Sequence, residues 1–151
     1  MYGKRPVIVS ACLLGFSCRY DGGTRPLSQK VLERLKGGYW LIPVCPEQLG
    51  GLPTPRPKME IAEGDGREVL RGVSQVIDEK GKDVSEAMLK GAYEVARYAK
   101  DQGIVLAVMK DGSPSCGVHT IRRKGVPVEG VGVTVALLKR QGVKVISEED
   151  L

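Results

Sequence analysis

Aromatic side chains are scarce in this chain, at 5% of 151 residues, with one Trp and one Phe. That argues against a stacking platform for single-stranded nucleic acid, which needs several rings along one groove. No apolar run approaches the roughly 18 residues of a membrane span; residues 105–109 are typical of the longest. The N-terminal segment lacks a long apolar stretch followed by a small-residue cleavage site, so no signal peptide and a cytoplasmic location are expected. Histidine occurs once, as His119, and any metal site must therefore be mostly thiolate. Charge of one sign is also lacking: 23 Lys and Arg against 18 Asp and Glu leave +5, spread along the chain. Such a bias can steer an anionic ligand, but no nucleic-acid motif accompanies it.

What the chain has is an ordinary share of apolar residues, 42%, with 20 Gly and 9 Pro. The length fits one domain, residues 1–151, whose single core buries about 68–70% of the unfolded chain's surface. Residues 7–11 (Val-Ile-Val-Ser-Ala) suit a buried parallel strand. A long polar, Gly-containing loop follows over 12–26. Ser28 can cap a helix carrying Val31, Leu32 and Leu35 on one face, with Gly37-Gly38 as its end. Residues 40–44 form a second strand whose Pro43 suits an edge. The loop 45–57 holds four prolines. Short strands are expected within 68–78. Asp83 and Glu86 have capping-box spacing ahead of a helix marked by Val84, Met88, Ala92, Val95 and Ala99. A third strand over 104–109, a loop over 111–117, a hairpin over 119–129 turning at Lys124-Gly125, a helix over 131–141 and a strand over 143–146 complete the chain. Strands alternating with helices predict an α/β, three-layer, Rossmann- or flavodoxin-like fold around a mostly parallel sheet of about four strands. Ligands of such sheets sit beyond the carboxyl ends of the strands.

The cysteines are Cys12, Cys18, Cys45 and Cys116. No pair has the C-x-x-C spacing of a zinc ribbon or redox motif, and an intracellular chain favours metal binding or catalysis over disulfides. Cys12 follows the first strand, Cys45 the second, and Cys116 lies in the loop after the third. Parallel strands bring all three loops to one end of the sheet. The plain alternative is three small buried hydrophobes, but each lies in a polar loop. Two metal readings remain open here. A closed zinc site would recruit Cys18 or His119 as a fourth ligand. A cubane iron–sulfur cluster on three cysteines would leave one iron open as a Lewis acid.

Several segments carry a resemblance. They are Ser10-Ala11-Cys12-Leu13-Leu14-Gly15, Cys18-Arg19-Tyr20-Asp21-Gly22, residues 45–56 beginning Cys45-Pro46-Glu47, and Gly81-Lys82-Asp83-Val84-Ser85. Ser113-Pro114-Ser115-Cys116-Gly117 and Gly130-Val131-Gly132-Val133-Thr134 complete the set. In this order they resemble the thiouracil desulfidase (TudS-like) family over roughly residues 7–148. The resemblance implies a [4Fe-4S] cluster on Cys12, Cys45 and Cys116, with a thiolated pyrimidine such as 2-thiouracil as the substrate. Cys18 falls in a family block without an assigned role. Asp111 stands where the family usually has Glu, and residues 119–124 replace a more usual aromatic and acidic turn.

The chemistry expected is a hydrolytic, non-redox desulfuration: a carboxylate activates water for attack on the thiocarbonyl carbon, and hydrosulfide leaves. Glu47, two residues beyond Cys45, is the first candidate for the base, with pairing to Arg56 as its plain alternative. Asp21 is second, and a turn role before Gly22 is equally in keeping with its position. Ser113 and Ser115 can donate hydrogen bonds into the site; a backbone-bonded turn hydroxyl is the alternative, more so for Ser115. Lys110 can polarise a carbonyl. Arg19 and Arg56 can stabilise clustered thiolates or an anionic substrate, with a solvated loop charge preferred for Arg19; Glu60 reads as a partner for Arg56 or Lys58, and His119 as a surface residue. The competing functions are a zinc-stabilised module and a metal-free nucleotide- or RNA-binding domain. The expected partner is a small thiolated base, free or derived from tRNA, with no membrane.

Overall fold

The computed structural model describes residues 3–151. Four strands, β1 (Arg5–Ser10), β2 (Tyr39–Val44), β5 (Leu106–Met109) and β8 (Lys144–Ser147), form one sheet in the order β2-β1-β5-β8. All three pairings are parallel. The expected α/β fold with a parallel four-stranded sheet and helices on both sides is therefore observed. The sheet strands succeed one another as second, first, third, fourth. The chain thus leaves β1 toward one edge and returns to its other side at β5, which makes the β1–β5 junction the switch point where a crevice opens.

The register follows from side-chain alternation. Ile8, Ala107, Met109 and Val145 face one layer, with the apolar stripes of α4 (Ser85–Asp101) and α5 (Val133–Arg140). Val7, Val9 and Val108 face the other, covered by a 3-10 turn, Ala11–Leu14, and the segment leading to α1 (Gln29–Gly38). Ser28 caps α1 as expected, accepting from the N–H of Val31 at 3.3 Å. Pro43 lies on β2, the edge strand, where a missing N–H costs no ladder bond.

Several expectations need correction. The loop after β2 contains a short helix, α2 (Pro46–Leu49), which Pro46 starts from its first position. The region 68–78 holds one strand rather than several: β4 (Val76–Asp78) pairs antiparallel with β3 (Met59–Ile61), and α3 (Gly66–Leu70) precedes it. The capping box expected at Asp83 and Glu86 does not form. Asp83 is bridged to Ile77, and the N–H of Val84 bonds the carbonyl of Val76. The chain is held in extended pairing until Val84, and α4 begins only at Ser85. A capping box does form at Asp65 and Glu68, on α3. The hairpin of β6 (Thr120–Arg123) and β7 (Val126–Glu129) turns at Lys124-Gly125 as expected, both with positive φ.

Candidate active site

A cavity of about 490 Å³ opens beyond the carboxyl ends of β1, β2 and β5. Cys12, Cys18, Cys45 and Cys116 all line it, and all are free thiols. Cys12 sits in the 3-10 turn that directly follows β1, and Cys45 follows β2 and precedes α2. Cys116 is brought in by the loop after β5. That loop is fastened by the first turn of α5: the N–H groups of Val133 and Thr134 bond the carbonyls of Pro114 and Ser115 at 2.8 and 3.0 Å. The approach needs a bare backbone at Gly132, where a Cβ would lie 2.4 Å from the carbonyl carbon of Ser115.

Burial pushes the Cys12 thiol above its ordinary value, while the charges of Arg19 and Lys110 pull it back. Burial, followed by the neighbouring Cys45 and Cys12, pushes Cys18 up to about 12. Burial also drives the Cys116 thiol strongly upward, against hydrogen bonds from Ser10 and Ser115. As free thiols these groups keep their protons at neutral pH, and binding a metal would release them.

Glu47 is one of two carboxylates this rim buries, the other being Asp111. It projects from α2, which seats against α4 so closely that a Cβ on Gly91 would meet the carbonyl oxygen of Pro46 at 1.8 Å. The Nε of Arg56 donates to Glu47 Oε1 at 2.9 Å, and Arg56 Nη2 donates to the same oxygen. Ser115 Oγ donates to Glu47 Oε2 at 2.9 Å. The pairing with Arg56 is thus real, and Glu47 still lines the cavity. Arg56 also reaches the carbonyl of Cys18 at 2.9 Å, so one guanidinium ties α2 to the loop after β1.

The two serines exchange their expected parts. Ser113 is the turn hydroxyl: its Oγ accepts from the N–H groups of Ser115 and Cys116, each at 3.1 Å. Ser115 is fully buried and reaches the site, lying 2.9 Å from Glu47 and 3.6 Å from Cys116 Sγ. The two hydroxyls are 3.1 Å apart. With its lone pairs facing backbone donors, Ser113 has its proton free for Ser115, which leaves the Ser115 proton for Glu47.

Asp111 organises the same loop, a role the sequence reading missed. Its Oδ1 accepts from the N–H groups of Gly112, Val118, His119 and Thr120 at 2.9–3.1 Å. Burial alone would raise its carboxyl, but these donors outweigh it and hold the group below the usual carboxylate range. Ser10, also missed, ends β1 inside the cavity and accepts from the N–H of Lys110 at 2.9 Å. A small polar residue closing an apolar strand was the available signal. Lys110 lines the cavity with its charge engaged by Glu148 at 2.9 Å.

Two candidates lie elsewhere. Asp21 is exposed and absent from the cavity wall; its carboxylate accepts from the N–H of Gly23 at 2.8 Å, the turn role. His119 is also outside the cavity, paired with Asp150 at 2.8 Å on the surface, and so does not complete a zinc site there. Glu60 pairs with neither Arg56 nor Lys58; it accepts from the backbone of the hairpin tip, Lys124 and Gly125, at 2.7 and 2.9 Å.

A family model described as 2-thiouracil desulfurase matches residues 7–150. The chain belongs to the 2-thiouracil desulfurase family. Within this family it is similar to a solved structure, the [4Fe-4S]-dependent thiouracil desulfidase TudS, at 42% identity and a TM-score of 0.84. That likeness covers 98% of this chain and 93% of the other. A relative from Bacillus subtilis (strain 168), the uncharacterized protein YbbK, is 39% identical over 96% of this chain and 97% of its own length.

The donor set can be tested against a cluster. Among the described residues, no three His, Cys, Asp or Glu side chains are arranged to hold a single metal ion. Three soft thiols nevertheless converge on one cavity from separate loops. That soft donor chemistry fits an iron–sulfur cluster.

Proposed function

We propose that the chain is a [4Fe-4S]-dependent desulfidase that exchanges the thiocarbonyl sulfur of a thiolated pyrimidine, such as 2-thiouracil, for the oxygen of water. Cys12, Cys45 and Cys116 would hold the cluster. When bound on three cysteines, a cubane supplies an iron with an open coordination position, a soft Lewis acid suited to sulfur. The balance is one water consumed, one oxo-base and one hydrogen sulfide released, with no electrons transferred.

The convergence of three free thiols and a buried carboxylate on one cavity is the observation that carries this reading. Arg56 fixes Glu47 in place beside the thiols. Oε2 of Glu47 is the atom that takes a proton from attacking water, with Ser115 swinging its own hydrogen bond aside or returning a proton to the leaving sulfur. Ser113 supports Ser115 from behind. A general base of this kind contributes about 10²–10⁴-fold.

The test is anaerobic reconstitution with iron and sulfide, followed by 2-thiouracil in ¹⁸O-water. Equal yields of sulfide and ¹⁸O-labelled uracil are expected. Glu47→Gln should keep its iron and lose about 10²–10⁴-fold in rate. Sulfide release without ¹⁸O in the product, or full activity without iron, would refute the reading.

A further inference from the structure

Six cations line the cavity, Arg19, Arg25, Arg56, Lys58, Lys110 and Arg122, and among these Arg19 alone has a buried side-chain nitrogen without an acceptor. Arg56 is neutralised by Glu47 and Lys110 by Glu148. Arg19 has no carboxylate within salt-bridge distance among the described residues. Its Nε is buried and finds no acceptor in the protein. The side chain lines the same cavity as Cys12, Cys18, Cys45 and Cys116. The backbone of Arg19 closes a tight turn, with its N–H on the carbonyl of Gly23 at 3.2 Å and its carbonyl bonded by the N–H of Gly22 at 2.8 Å. Tyr20 flanks the guanidinium, 5.9 Å from ring centre to Cζ. The reading of Arg19 as a solvated loop charge is thereby corrected.

A partly buried cation without a counter-charge loses solvation that nothing in the protein returns. A cluster on three thiolates carries net negative charge and presents sulfur acceptors. We propose that Arg19 is the built-in counter-cation of the cluster, donating hydrogen bonds to Cys12 and to the cluster's sulfur, and so sets the cluster's retention and reduction potential. This rests on the cluster reading above. Hydrogen bonds and positive charge near an iron–sulfur centre favour its reduced, more negative state. Removing Arg19 must therefore move the potential in the negative direction. An anionic group on the substrate is the other negative partner such a cation could meet, and the experiment separates the two.

Wild type, Arg19→Lys and Arg19→Gln are reconstituted anaerobically. Iron content, cluster loss to a chelator, midpoint potential and KM are then measured, with the melting of the iron-free proteins as a fold control. Arg19→Gln should lose its cluster about 10–100-fold faster and titrate at a more negative potential. Arg19→Lys, which keeps the charge and loses the planar fork, should fall between. The iron-free proteins should melt alike. If Arg19→Gln keeps wild-type potential and retention, whether or not its KM rises, the inference is overturned and the cluster reading stands. A wild type that takes up no iron overturns both.

Discussion

Two loops bring thiols to the same rim and are held there by opposite means. The loop after β5, with Cys116, is fixed by backbone: Asp111 gathers four N–H groups, and the first turn of α5 grips two carbonyls. The loop after β1, with Cys12 and Cys18, is bonded mostly to itself. Its ties across to the rest of the rim run mainly through Arg56, whose N–H bonds the carbonyl of Tyr20 at 2.7 Å and whose guanidinium bonds that of Cys18, which also accepts from Cys45 Sγ at 3.7 Å. The Cys116 thiol is therefore placed by many redundant bonds, Cys12 by the end of β1, and the stretch around Cys18 leans on Arg56. A site built this way can keep one wall rigid while the other admits a cluster and a substrate.

The comparison breaks most sharply at Arg56. Arg56→Ala should cost about 3–5 kcal/mol, because it leaves Glu47 buried and unpaired. Hydrogen exchange should accelerate over residues 18–27 while 112–120 stay protected. Equal loosening of both loops would show that the Cys116 loop is not independent. Adding Glu47→Gln should restore part of the loss in a denaturant titration, since no unpaired charge would remain.

Asp111→Ala attacks the other loop. It should cost about 3 kcal/mol, since several buried N–H groups lose their acceptor at once, and should loosen 112–120 rather than 18–27. The carboxyl is held below its ordinary 3.8, so its contribution is complete above that pH and fades as the pH falls through the lower folded value. An acid titration of wild type against Asp111→Asn checks the sign.

Gly132→Ala pushes a methyl against the backbone of Ser115 and Cys116. About 2 kcal/mol is expected from such overpacking, and the sharper result is a drop in iron uptake on reconstitution with the fold retained by circular dichroism. The smallest effect belongs to His119. Asp150 raises its pKa above the ordinary 6.5, so a slight stabilisation should be present below that value and vanish as the pH rises through the folded one. His119→Gln should flatten this small slope in pH-dependent melting and leave both loops unchanged.

The layers of the fold were legible because they rest on local patterns. Apolar runs at 7–9 and 106–109, the helical stripe from Met88 to Ala99, and the Lys124-Gly125 turn each declare themselves within a few residues. α2 and β3 were not, since a four-residue helix and a three-residue strand have no period to read. The capping box at Asp83 looked sound and yielded to a competing local pairing, with Ile77 six residues upstream on β4. In the site, the cysteines were found by counting loops, whereas the division of labour between Ser113 and Ser115 was read the wrong way round. Both flank Pro114 and both line the cavity, and only the folded loop decides which hydroxyl meets Glu47.

By itself, the sequence determined that thiols would gather at one end of a parallel sheet, because residue chemistry and element order are written in the chain. Tertiary structure alone decided which charges meet. Glu47 found Arg56 and Ser115, Lys110 found Glu148, and Arg19 was left without a carboxylate. Those outcomes depend on approaches of a few ångströms between segments far apart in sequence. Electrostatic and hydrogen-bond energies change over just that distance.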